Sequence, residues 1–112
     1  MAARTQKGTA TLQAAATATG NGTPLAVDAF DQAVFQVTGI TTATITWEAT
    51  VDGTTYVAVS VIDLNSATRA RATTATANGL YLLDGIGGLV LVRARISAYT
   101  SGTITVVARA SA

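Results

Sequence analysis

Residues 43–62 read ATITWEATVDGTTYVAVSVI, and the fold class turns on how this stretch is read. Ile45, Trp47, Ala49 and Val51 fall on one face of an extended chain, and Thr44, Thr46, Glu48 and Thr50 fall on the other. Successive side chains of a strand point to opposite faces of a sheet, so this period of two predicts a half-buried strand. Asp52-Gly53 tolerates the positive φ of a two-residue hairpin turn, which predicts a tight return. The returning run, Thr54 to Ile62, is apolar on both faces at several positions, as in a strand that is central or covered.

Working outward, the same grammar recurs. Thr9 to Thr19 is a run of small residues with interspersed threonines and no wide apolar stripe, which favours strand over helix. Gly20-Asn21-Gly22 marks a turn, and Pro24 opens a short strand, Leu25 to Val27. Gln32 to Thr38 is a further strand, and Asp63 to Thr68 a polar loop. Arg69 to Ala77 begins with alternation that puts Arg69 and Arg71 on one face, and Asn78-Gly79 is a second hairpin signal before Leu80 to Leu83. Asp84 to Gly88 is a loop. Leu89 to Ala98 alternates, with Val90, Val92, Ala94 and Ile96 opposed to Arg93, Arg95 and Ser97. Tyr99 to Gly102 then predicts a four-residue hairpin into Thr103 to Ala110. About eight short strands with regular turn signals and no helix predict an all-β, single-domain antiparallel β-sandwich. A jelly-roll-like arrangement is the first expectation and an immunoglobulin-like sandwich the alternative. The domain is expected over residues 9–112, with residues 1–8 a flexible N-terminal arm carrying Arg4 and Lys7.

Composition narrows function by exclusion. The 112 residues contain no cysteine and no histidine, which removes disulfides, the usual zinc ligands and every Ser-His or Cys-His pair. An enzyme is not expected, and neither is a cofactor or a metal. Charged residues make up 12% of the chain, half the share of about 25% usual in soluble domains. Such a charge-poor surface suits a subunit of an assembly. A net charge of +1 favours neither nucleic acid nor membrane as partner. The first residues lack the apolar core of a secretory signal, so the expectation is a protein that stays where it is made or leaves by lysis.

Five of the seven cations fall on predicted strands, and Arg93, Arg95 and Arg109 are expected to converge through the Tyr99–Gly102 hairpin. Such a set can grip carboxylates on a partner, because guanidinium pairs with them through two hydrogen bonds. Tyr99, at the expected hairpin tip, is the best exposed aromatic for contacting a sugar. The acids carry less. Glu48 lacks a marked second carboxylate for glycosidase chemistry and reads as exposed or as an arginine partner. Asp28 and Asp31 lack the continuation of a calcium loop, and Gly85 to Gly88 lacks the lysine and helix of a phosphate loop. Trp47 reads as core.

The run GITTATITWEATVDGTTYVAVSV resembles a hairpin of small tailed-bacteriophage virion proteins. The later segment ANGLYLLDGIGGLVLVRARISAYTSGTITVVARAS, with its Asn-Gly-Leu-Tyr, Val-Arg-Ala-Arg and Ala-Tyr-Thr-Ser-Gly motifs, resembles the same group. The resemblance runs from about Gln13 onward. It implies a virion β-sandwich of the capsid decoration, head-fibre or tail-associated type, with no catalytic residues to carry over. The expected function is therefore a decoration protein cementing the outside of a phage head. Its expected partners are the major capsid protein lattice and itself, as a homo-oligomer with the trimer favoured, contacting through Arg4, Lys7, Arg93, Arg95, Arg109 and Tyr99. The alternative is a tail or fibre module that binds host glycans.

Overall fold

The computed structural model describes residues 7–112 and is built entirely from strands and their connections. They are β1 (Lys7–Ala16), β2 (Leu25–Ala26), β3 (Gln32–Thr50), β4 (Val57–Ala58), β5 (Val61–Asp63), β6 (Arg71–Ala72), β7 (Thr74–Ala75), β8 (Gly79–Leu83) and β9 (Leu91–Ser111). All pairings are antiparallel.

Two long strands organise everything else. β3 has 19 residues and β9 has 21, and they pair from Gln32↔Ser111 to Thr50↔Leu91. Twelve residues of straight strand would separate Phe35 from Trp47 by about 40 Å. Their rings instead stack with centroids 4.7 Å apart. The ladder is therefore folded over on itself, and its two halves form the two layers of a sandwich. Alternation supplies the core between them. Phe35, Val37, Ile104, Val106 and Ala108 point inward from one layer, and Ile45, Trp47, Val92, Ala94 and Ile96 from the other. Tyr81 packs on Trp47 from the first layer and donates its hydroxyl to Ala77 O. Burial, with the nearby Asp63 charge, raises its pKa above the ordinary tyrosine value.

The fold line lies between Thr38 and Ile45, where four register shifts accumulate. Such bulges bend a strand and increase its twist. Gly39 and Gly102 meet across this line, at φ of 83° and 121°. A Cβ on Gly39 would sit 1.7 Å from Thr103 O, and one on Gly102 would sit 2.5 Å from Gly39 O. Glycine is required at both for steric reasons as well as for backbone conformation.

The short strands complete the layers. β1, β8, β5 and β6 extend the layer formed by the first half of β3 and the second half of β9. β2, β4 and β7 border the other layer. Leu12, Leu25, Val27, Val61, Leu83 and Ile86 close the core from these edges.

The structure corrects several sequence expectations. Tyr99 to Gly102 is no hairpin, because the strand runs through it alongside β3. Gln32–Thr38 and Ala43–Thr50 are one strand rather than two. Asp52-Gly53 lies in a wider loop, since the flanking pair is Ala49↔Val57, and Val51 is 69% exposed rather than core. The predicted strand Thr54–Ile62 splits. β4 borders β3 in one layer, whereas β5 pairs β8 and β6 in the other. Asn78-Gly79 links β7 to β8, which follow the same edge of β3, and Asn78 spans the gap through Ile40 N and Ile40 O. At the start of the chain, Lys7 and Gly8 pair with Ser111 and Ala110, so the sheet takes in the end of the expected arm. Arg4 lies outside the described residues.

Candidate functional site

The second half of β3 and the first half of β9 place Glu48 opposite Arg93, with Arg95 two residues along. All three side chains belong to the outer face of that layer, because Trp47, Ala49, Ala94 and Ile96 take the inner one. Glu48 is nevertheless only 8% exposed, covered by the arginines it binds. Its two oxygens are divided between them. Arg93 Nε donates to Oε1 at 2.8 Å, and Arg95 Nε donates to Oε2 at 3.0 Å. The Arg93 guanidinium also lies 3.7 Å from the centroid of the Tyr56 ring, a cation–π contact that holds its plane. Beside the cluster, the Thr46 and Ser97 hydroxyls bond each other at 2.8 Å.

The predicted site residues separate in space. Arg93 and Arg95 come together on one carboxylate, the arginine-partner role foreseen for Glu48. Arg109 does not join them. It lies beyond the fold line on the exposed outer side of the opposite layer, in register with Val34 and Thr9. The expected convergence depended on a hairpin that is absent. Lys7 enters β1 through its backbone. Tyr99 is half-buried at the fold line, and its hydroxyl donates to Gly102 O at 2.6 Å, a bond that braces the bend. Of the other strand cations, Arg71 pairs with Asp84 at 2.8 Å and holds that carboxyl below its usual range. Arg69, at φ 53°, donates to Leu64 O instead of lying on a strand.

Two features escaped the sequence reading. The first is the contact of Tyr56 with Arg93, which depends on how the loop before β4 returns. The second is a cleft of about 300 Å³ at one end of the sandwich, lined by Val51, Val57, Val59 and Leu89, with Asp52 on its rim. Asp52 Oδ1 accepts the backbone amides of Thr55 and Thr54 at 2.8 Å each and the Thr50 hydroxyl at 2.7 Å. These bonds hold its carboxyl well below the usual carboxylate range. Its partners are local, and they shape the turn. Asp28 and Asp31 flank the break between β2 and β3, and Asp31 N donates to Ser111 O. Among the described residues there is no cluster of three metal-ligating side chains.

Comparison with known proteins places this architecture. The family model described as XepA matches residues 6–110. The chain belongs to the XepA family. Among solved structures, the SPBc2 prophage-derived protein YomS superposes with a TM-score of 0.83 at 22% identity, covering 96% of this chain and 94% of that one. The PBSX exported protein XepA superposes with a TM-score of 0.90 at 17% identity, covering 100% of this chain and 39% of that one. The chain thus corresponds to well under half of XepA itself. No curated protein matches. At these identities the likenesses establish the fold, and the sandwich expected from the sequence agrees with them. Family and neighbours together fit a phage protein.

Proposed function

We propose that this chain is a non-catalytic phage structural protein that works by assembling with other protein surfaces. In the leading form of that reading it is a capsid decoration protein, which docks on the outer surface of the head as a small homo-oligomer. The observation that supports it most directly is the treatment of charge. Glu48 is shared by Arg93 and Arg95, Arg71 is matched by Asp84, and Asp52 is absorbed by its own turn. Apart from a few scattered exposed charges such as Asp28, Asp31, Arg69 and Arg109, what remains outward is mainly threonine, alanine and small apolar groups, with Val107 and Leu80 exposed on one layer and Val57 on the edge of the other. Surfaces depleted of free charge lose little hydration when they meet a partner. Cementing follows by linkage, since a ligand that binds only the assembled lattice opposes its separation.

The description of one relative as an exported protein favours a second reading, in which the chain acts outside the producing cell, free of the particle. One experiment separates the two. Phage particles are purified through a density gradient, and this chain is assayed in the particle band and in the particle-free medium. Decoration predicts a fixed number of copies per head, released only when the capsid is disrupted. Chain found solely in the particle-free fraction contradicts decoration and leaves the exported reading.

A further inference from the structure

We infer that Arg93 and Arg95 form a receptor for a single carboxylate presented by a partner protein. Guanidinium commonly binds a carboxylate through two parallel N–H groups. Glu48 does otherwise, spending one oxygen on each arginine and engaging only the Nε atoms. The Nη groups of both arginines have no hydrogen-bond partner among the described residues. Both arginines are therefore held through Nε on one carboxylate with their Nη donors unspent, and the Arg93 guanidinium is braced further by the Tyr56 ring. The side chains are prepaid in conformation, because the buried Glu48 has already fixed them.

Charge selects the ligand. Two guanidiniums and one carboxylate sum to +1, which one further carboxylate neutralises, whereas a phosphate dianion would overcompensate. Position selects its source. The arginines stand on the outer face of a layer, the Arg95 side chain 36% exposed and that of Arg93 19%. A small free acid would gain little burial there. An Asp or Glu side chain on a docking protein brings its own surface to exclude water around the contact. This inference deepens the assembly reading, but its test uses small probes and does not depend on where the protein resides.

The test is side-chain NMR of the arginine Nε–H and Nη–H groups in the whole 112-residue chain, titrated with acetate, with an end-blocked Gly-Glu-Gly peptide and with inorganic phosphate. The expected result is saturable shifts at Arg93 and Arg95 with acetate and with the peptide, and none at Arg109. Phosphate should bind more weakly than either. Arg95→Lys keeps the charge but loses the planar fork, and should weaken peptide binding about tenfold, the loss expected for one charge-assisted hydrogen bond. An unchanged backbone amide spectrum would show that this variant is folded. Equal shifts at Arg109, tighter binding of phosphate, a peptide that fails where acetate binds, or an unaffected Arg95→Lys would each overturn the assignment.

Discussion

Two glycines that look alike in sequence do opposite things in this molecule. Gly53, after Asp52, sits where β3 ends and the chain leaves the ladder, and a Cβ there would meet nothing within 4 Å. Gly39 sits where β3 continues, folded over but still paired with β9, and a Cβ there would collide with Thr103 O. The first glycine serves a backbone angle alone. The second serves an angle and a contact between two strands that bend together. A glycine signal thus marks an exit when it stands alone, and a fold line when the neighbouring strand carries a glycine beside it, as Gly102 does here.

The contrast can be broken by substitution. Gly39→Ala should be the most damaging change, costing about 3 kcal/mol or more, because it adds a backbone clash to a left-handed conformation. Chemical denaturation would show this as a large fall in midpoint or as failure to fold. Glu48→Ala comes next, at about 2 kcal/mol, since it leaves two half-covered guanidiniums without their acceptor on the layer beyond the fold line. Gly53→Ala should cost about 1 kcal/mol, the strain of positive φ with no clash. If Gly39→Ala and Gly53→Ala prove equally mild, the fold line does not require glycine, and the distinction between the two positions fails.

Acid sharpens the same comparison at the exit loop. The Asp52 carboxyl titrates lower in the folded chain than in the unfolded one, where the ordinary value is about 3.9. Its contribution to stability is therefore complete above that value and is lost as pH falls below it. Wild-type protein should lose more thermal stability than Asp52→Asn between about pH 5 and pH 2. Parallel pH profiles would show that the turn does not depend on the charge. The exposed Arg71–Asp84 pair supplies the smallest effect. Arg71→Gln should shift stability by about 0.5 kcal/mol, and less at high salt.

Much of this was legible in the residues themselves. The alternation at Ile45, Trp47, Val92, Ala94 and Ile96 identified inward-facing positions, because burial of one strand face is a local pattern. The long strands were not legible. Tyr99 to Gly102 has the composition of a hairpin, and only its partner, bent at the same place, makes it a continuous strand. The Thr54–Ile62 run failed for a related reason. Its double-faced apolar pattern comes from crossing between layers, with Val57 exposed on one edge and Val61 buried at another. For the candidate site, the pairing of Arg93 with Arg95 followed from their spacing. Excluding Arg109 required the topology, and Tyr56 required the path of a loop.

If the chain acts by assembly, its mass in solution, measured by light scattering after size exclusion, should show it. A stable mass of two or more times the 11.3 kDa chain, the trimer being the expected form, is the predicted result. A mass of 11.3 kDa that persists at high protein concentration would contradict self-assembly.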